Sequence, residues 1–129
     1  TPSPREGEPL PPTPFRQREG EPAVVILSGN LIDRTRIEEA VAAAGFRPVA
    51  WGESVAPALA LVDLAHPRAE PVIEELAGAG VPTVAFGPHV DEEALARAAA
   101  LGAGRSLPRS RFFRSLPQLL AEARSILGG

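Results

Sequence analysis

Residues 58–67 read ALALVDLAHP, an apolar run that is followed at once by Asp63 and, four residues later, by Pro67. A second run, AVVIL, occupies residues 23–27. Continuous apolar runs of this length are typical of parallel strands that are buried on both faces of a sheet. We predict three further short strands, at residues 47–51, 82–86 and 105–107. The first of the quoted runs, residues 58–62, is then the third of five strands.

Helical patterns alternate with these strands. They cover residues 33–44, residues 67–79 with a proline in the first turn, and a segment that starts after Asp91 as N-cap and ends at residue 101. Ser115 and Gln118 form a capping-box pattern, which predicts that the last helix begins there and runs to residue 127. Strands and helices in alternation predict an α/β fold with a doubly wound parallel sheet and helices on both faces.

The connection between the second and third strands is unusually short. Only six residues, 52–57, separate them, whereas a crossover that contains a helix needs at least ~10–12 residues. We therefore expect the second helix of the pattern to be missing and part of one sheet face to be uncovered. Trp51, Phe15 from the N-terminal segment, or a second subunit should fill the gap, because exposed apolar sheet tends to form an interface.

The N-terminal segment differs in composition from the rest of the chain. Residues 1–22 hold seven of the fifteen prolines, and Leu10 and Phe15 are their only large apolar residues. Such a segment builds no core and favours an extended, polyproline-like conformation. We predict two parts: a Pro-rich arm at residues 1–22, disordered or docked, and one α/β domain at residues 23–129.

Composition excludes several classes of function. A net charge of -3 offers no electrostatic basis for nucleic-acid binding, and the absence of cysteine rules out disulfides and thiolate metal sites. No apolar run approaches bilayer length, and no basic-then-apolar leader opens the sequence, so we expect a cytoplasmic protein that binds no membrane. No nucleophile–base pattern or Gly-rich phosphate turn is present, so we expect no enzymatic activity and no cofactor.

Three segments resemble the receiver domains of response regulators: LVDLAHP at residues 61–67, VPTVAFGPHVDEEALARAAALGAG at residues 81–104, and SLPRS at residues 106–110. The resemblance implies a flavodoxin-like sheet with strand order 2-1-3-4-5 and a site at the carboxyl ends of the strands. It also implies that Asp63 is the position that accepts a phosphoryl group in that family.

Several positions of the implied site depart from the receiver pattern. The chain has Ser28 and Gly29 for two magnesium-binding acids, Gly87 for a Thr or Ser, Arg109 for a lysine, and Ser106 for an aromatic ring that switches. Phosphoryl transfer to a carboxylate requires a cation to neutralise the approaching anions. We therefore expect a degenerate site in which Asp63 and Arg109 form a fixed ion pair. Magnesium would be a cofactor only if Asp63 were phosphorylated after all.

The leading hypothesis is a pseudo-receiver that acts as a protein–protein interaction module in signalling, independently of phosphorylation. One alternative is a divergent single-domain response regulator that is phosphorylated on Asp63. Another is a sensor that binds a metal or a small anion through Asp63, His66 and His89, with Arg109 as an anion donor.

A second group of residues is typical of a partner surface. Aromatic and arginine side chains are common interface anchors; here they are Arg105, Arg111, Phe112 and Phe113, together with Trp51 and Phe15. The simpler interpretation is that one of the two adjacent phenylalanines packs under the last helix. The partner would be another protein or a second copy of the chain, including a homodimer.

Overall fold

An all-parallel sheet of five strands forms the centre of the computed structural model, which describes residues 21–53, 56–88 and 91–128. The strands are β1 (Ala23–Leu27), β2 (Arg47–Ala50), β3 (Leu59–Asp63), β4 (Thr83–Gly87) and β5 (Arg105–Pro108). The helices are α1 (Leu31–Ala43), α2 (Ala69–Gly78), α3 (Glu92–Leu101) and α4 (Arg109–Gly128). The strand order is β2-β1-β3-β4-β5, which confirms the predicted doubly wound topology.

The two faces of the sheet carry separate apolar layers. Side chains alternate along β1, so that Val24 and Ile26 face α1 and α4 while Val25 faces α2. Every residue of β1 is buried, which is why the strand reads as an unbroken apolar run. None of the helices within the described ranges combines the length and the hydrophobicity needed to cross a membrane.

Helix α1 begins at Leu31, two residues before the predicted start at Asp33. Asn30 is its N-cap, and the Asn30 side-chain oxygen accepts a hydrogen bond of 2.9 Å from the backbone N–H of Asp33. This bond satisfies one of the free N–H groups of the first turn. Asp33 therefore lies inside the first turn instead of opening the helix.

Helix α4 begins at Arg109, so the predicted start at Ser115 is wrong. The reason is tertiary packing: Phe112 is fully buried and lies one helical turn before the buried Leu116, so the apolar stripe extends back past the capping-box pattern. The helix continues through Pro117, whose missing N–H removes one hydrogen bond to the preceding turn. Burial of this stripe offsets that loss.

The connection between β2 and β3 contains no helix in its described residues, 51–53 and 56–58. Trp51 is half-buried and packs against the apolar layer on the α2 side of the sheet. This is one of the three ways in which the sequence predicted that the gap would be filled. A cavity of about 310 Å³ remains between Trp51, Pro57 and the end of α2. Phe15 and nearly all of the predicted arm, residues 1–20, lie outside the described residues.

Candidate functional site

Four of the predicted site positions meet at the carboxyl edge of the sheet. Asp63 and Gly87 are the last residues of β3 and β4, Ser28 directly follows β1, and Arg109 directly follows β5. Parallel strands end at the same edge, and this edge is where open α/β sheets bind ligands. Asp63, Gly87 and Arg109 line one cavity of about 420 Å³, together with residues of the loops that follow β1 and β3.

Both carboxylate oxygens of Asp63 accept hydrogen bonds. The side chain is only 7% exposed. The Ser28 hydroxyl donates to Oδ2 at 3.0 Å, and the backbone N–H of Ala65 donates to Oδ1 at 2.9 Å. The backbone N–H of Asn30 in turn donates to the Ser28 oxygen at 3.2 Å. The residue in place of a magnesium-binding acid is thus a donor that holds the aspartate in position.

Arg109 pairs with Asp33, and the predicted ion pair with Asp63 is wrong. The Arg109 Nε donates to Asp33 Oδ2 at 3.0 Å, and a terminal nitrogen of the same guanidinium donates to Oδ1. Arg109 opens α4 and Asp33 lies in the first turn of α1, so the planar fork meets a carboxylate at the positive end of a helix. Both oxygens of Asp63 already accept hydrogen bonds, from Ser28 and Ala65, so this carboxylate has partners without the arginine.

The Arg109–Asp33 pair also sets the electrostatics of the edge. The hydrogen bond to Asp33 raises the pKa of Arg109 above its ordinary value, against a smaller opposing effect of partial desolvation. The charges of Asp33 and, at longer range, Asp63 raise the same pKa further. Asp63 therefore acts on Arg109 through its charge without a direct hydrogen bond.

Gly87 stands where a receiver has a hydroxyl side chain, and that space is partly occupied. A Cβ atom on Gly87 would lie 3.3 Å from Cβ of Leu64, which follows Asp63 in the chain. A larger side chain at this position would require Leu64 to move aside. Gly87 thus has no hydroxyl group, and the apolar side chain of Leu64 lies next to the position that a side chain at residue 87 would occupy.

Ser106, in the position of the switching aromatic ring, is tied to a neighbouring helix. Its hydroxyl donates to the backbone oxygen of Leu95 in α3 at 2.7 Å. The side chain is half-buried between β5 and α3. The Ser106 side chain therefore links β5 to α3 through one hydrogen bond, and it has no aromatic ring that could rotate.

His66 lines the same cavity as Asp63. Its Nδ1 accepts a hydrogen bond of 3.0 Å from the backbone N–H of Arg68, so this nitrogen is occupied by the turn that leads into α2. Gly29 lies beside the ring, with room for a Cβ atom at 3.9 Å from His66. His89 lies outside the described residues. Among the described residues no three His, Cys, Asp or Glu side chains are grouped to hold a metal ion.

Of the predicted interface residues, Phe112 belongs to the core. It is fully buried and stacks on Phe86 with ring centroids 4.1 Å apart, so its assignment to a partner surface is wrong. Phe113 is half-buried, and the guanidinium of Arg36 lies 4.0 Å from its ring centroid. Arg105 and Arg111 are exposed.

Sequence reasoning missed two residues of this edge, Asp33 and Leu64. A signal for Asp33 is present in the sequence: an Asn followed three residues later by an acidic residue is a pattern of helix N-termini, where carboxylates are favoured. Recognition of Asn30 as the cap would have placed Asp33 at the site. No local signal marks Leu64, because its role depends on the neighbouring strand.

The solved structures that superpose on this chain include several response regulators and receiver domains. A response regulator from Thermotoga maritima superposes with a TM-score of 0.66 at 14% identity, over 81% of this chain and 98% of that one. An orphan response regulator of H. pylori gives 0.63 at 15% identity, over 82% and 96%. A response regulator receiver protein from Burkholderia phymatum gives 0.61 at 21% identity, over 78% and 95%.

No protein-family model matches the sequence, and the search of curated proteins gives no match. The structural neighbours nevertheless agree with each other, and the strand order β2-β1-β3-β4-β5 is consistent with their fold. This chain therefore has the fold of a response-regulator receiver domain.

Proposed function

We propose that this chain is a pseudo-receiver, a receiver-fold module that works through protein contacts without phosphorylation of Asp63 and without catalysis. The fold supports a role in signalling, because the neighbours are response regulators. The specific form of the proposal rests on the hydrogen bonds at the carboxyl edge.

The observation that carries it is that the charged groups of the edge are already paired. Asp63 accepts from Ser28 and Ala65, and the Arg109 fork is bound to Asp33. A phosphoryl donor would have to displace a hydrogen-bond donor, Ser28 or Ala65, from whichever oxygen of Asp63 attacks. It would also have to approach the carboxylate of Asp63 without a magnesium site, because Asp33, the other acid among the described residues that line the cavity, is already paired with Arg109.

The connections that would transmit a phosphorylation signal are also altered. Gly87 has no hydroxyl to contact a phosphoryl group, and Leu64 lies against it. Ser106 is held to α3 through the Leu95 oxygen. The edge is therefore built to stay in one arrangement, which suits a constitutive binding module.

Exposed apolar residues support a protein partner. Leu31 and Ile32, at the start of α1, are 66% and 73% exposed, and they adjoin Asn30 and Asp33 in the cavity wall. Large apolar side chains grouped at the surface are typical of interaction sites. The exposed Arg105 and Arg111 provide further contacts on the β5–α4 side.

We expect no phosphorylation when the protein is incubated with acetyl phosphate and Mg²⁺ and its intact mass is measured. Asp63→Asn is the matched negative control, and an active receiver in the same reaction confirms the reagent. The physical reason is that the described residues beside Asp63 offer no free second acid for a cation, since Asp33 is paired with Arg109. A gain of one phosphoryl group that disappears in Asp63→Asn would overturn the proposal and establish a divergent response regulator instead.

Ser28→Asp should create the missing cation site. It places a second carboxylate next to Asp63 Oδ2, which now lies 3.0 Å from the serine oxygen. Mg²⁺ should then raise the thermal midpoint of this variant. At a tenfold excess over its dissociation constant the stabilisation is about 1.4 kcal/mol.

Ser28→Asn is the isosteric control for this measurement and should show no response to Mg²⁺. An equal response of the wild-type protein and Ser28→Asp would mean that the native edge already binds the ion. The comparison therefore tests the loss of the acid directly, separately from phosphorylation.

A further inference from the structure

On the α2 side of the sheet, the described helices lie over β3, β4 and β5. Helix α2 packs on β3 and β4, and α3 packs on β4 and β5. Beside them, over β1 and next to the connection between β2 and β3, lies the cavity of about 310 Å³. We call it the Trp51 cavity. The apolar part of its lining comes from Val25, Trp51, Pro57, Leu76 and Val81.

Two glutamates also line the Trp51 cavity. Glu53 follows Trp51 by two residues, and its backbone N–H donates to the Ala50 oxygen at 3.2 Å in the turn that ends β2. Glu75 lies on α2, directly before the buried Leu76. Both glutamates are exposed, and the described residues that line the cavity include no arginine. The cavity therefore combines apolar walls with two negative charges.

The other acids of α2 face a cation of the protein itself. Glu70 accepts two hydrogen bonds from Arg97 of α3, at 2.7 and 2.8 Å. The hydrogen bond to Glu70 is the main cause of the raised pKa of Arg97, and the charge of Glu74 adds to it. Within the described ranges, by contrast, no ion pair involves Glu53 or Glu75. The negative charge at the cavity is thus available to a ligand.

The size, the charge and the position of the cavity together define what fits it. A cavity of about 150 Å³ holds a benzene ring, so the Trp51 cavity has room for a large apolar side chain. A ligand that covered the two carboxylates without a cation would desolvate them at a cost, and an acidic ligand would be repelled. Lys and Arg stems cover apolar surface while their charged ends reach carboxylates. Parallel strands are usually joined through a helix, so a helix suits the space beside the short β2–β3 connection.

We propose that the Trp51 cavity docks a basic amphipathic helix of another protein. A large apolar side chain of that helix enters the cavity against Trp51, and Lys or Arg side chains beside it pair with Glu53 and Glu75. Helix-in-groove recognition of this kind relies on an apolar anchor, and the flanking charges select the partner. The surface shares no lining residue with the Asp63 cavity, so the proposal holds whether or not Asp63 is phosphorylated.

Fluorescence of the full chain tests the docking directly, since Trp51 is the only tryptophan and tyrosine is absent. The probes are two synthetic amphipathic helical peptides without aromatic residues, one of leucine and lysine and one of leucine and glutamate. The leucine–lysine peptide should shift the Trp51 emission to shorter wavelength and reduce its quenching by acrylamide, and both effects should saturate. The leucine–glutamate peptide should change neither.

Two double variants separate this site from general attraction between opposite charges. Glu53→Gln/Glu75→Gln should raise the dissociation constant of the leucine–lysine peptide about three- to tenfold, since each exposed charge pair contributes only modestly. Glu38→Gln/Glu39→Gln changes the net charge equally, but on α1, which packs on the opposite face of the sheet, and should leave the constant nearly unchanged. Equal weakening in both double variants would contradict the proposal.

A further pair of variants tests the cavity itself without a change of charge. Ala79 is an exposed residue of the lining, so Ala79→Phe should fill the cavity and abolish the emission change at peptide concentrations that saturate the wild type. Ala121→Phe, in the groove between α1 and α4, is the control and should bind like the wild type. Wild-type affinity of Ala79→Phe, or no response of the wild type to the leucine–lysine peptide, would refute the docking site. Emission that depends on protein concentration without peptide would refute it in favour of a second copy of the chain.

Discussion

Phe112→Ala should lower the free energy of unfolding by about 3–5 kcal/mol, the usual cost of truncating a buried phenylalanine to alanine. Phe112 is fully buried and stacks on Phe86 at 4.1 Å between ring centroids. It also lies in the first turn of α4, in the part of the helix that the capping pattern did not predict. Since a small domain is stable by only about 5–15 kcal/mol, this loss is large.

Phe113→Ala is the matched control for this prediction. Phe113 is half-buried and meets Phe86 edge-on at 5.9 Å between centroids, so its truncation should cost clearly less. Urea denaturation followed by circular dichroism measures both variants. A loss for Phe112→Ala no greater than that for Phe113→Ala would show that the start of α4 is not held by the Phe86–Phe112 stack.

Arg109→Ala should lower the free energy of unfolding by about 1–3 kcal/mol. The side chain of Asp33 is only 4% exposed, and removal of its partner leaves a buried carboxylate without a cation. Loss of one member of a fully buried pair costs about 3–5 kcal/mol. The Arg109 side chain is 48% exposed, so solvent screens part of the interaction and the expected cost is smaller.

Two further variants make the origin of this effect measurable. Arg109→Lys keeps the charge but loses the two-point fork, so its stability should lie between those of the wild type and Arg109→Ala. Arg111→Ala removes an exposed arginine two residues along the same helix and should change stability little. Equal stability of Arg109→Ala and Arg111→Ala would mean that the pair with Asp33 contributes nothing.

The pH dependence of the Arg109 effect follows from the direction of its pKa shift. The hydrogen bond to Asp33 raises the pKa of Arg109 in the folded protein. A basic group with a raised pKa contributes its full stability below its ordinary pKa, and loses it only as pH rises through the raised value. The difference in thermal midpoint between the wild type and Arg109→Ala should therefore be the same at mildly acidic and mildly alkaline pH.

The Phe112 and Arg109 variants also connect the core to the carboxyl edge. Arg109 and Phe112 share the first turn of α4, and Phe112 holds this turn against β4 through Phe86. Loosening of this turn should release Arg109 from Asp33. We therefore expect the double variant Phe112→Ala/Arg109→Ala to lose less free energy of unfolding than the sum of the losses in the two single variants.

The buried strands and the class of the sheet could be predicted from the amino-acid sequence alone. Unbroken apolar runs at residues 23–27 and 58–62 identified buried parallel strands, because a strand covered on both faces has no polar side. Helices in alternation with these strands then favoured a doubly wound topology. The resemblance of residues 61–67 to receiver domains implied that Asp63 lies in a site at the carboxyl edge of the sheet.

The pairing of the charges and the start of the last helix depend on contacts between residues that are distant in the sequence. Asp33 and Arg109 are 76 positions apart, and they meet because two helices start side by side at one edge of the sheet. The start of α4 likewise depends on a ring from β4 that stacks on Phe112. Local patterns report propensities within one or two helical turns, whereas ion pairs, covered glycines and helix extensions depend on neighbours that are distant in the chain.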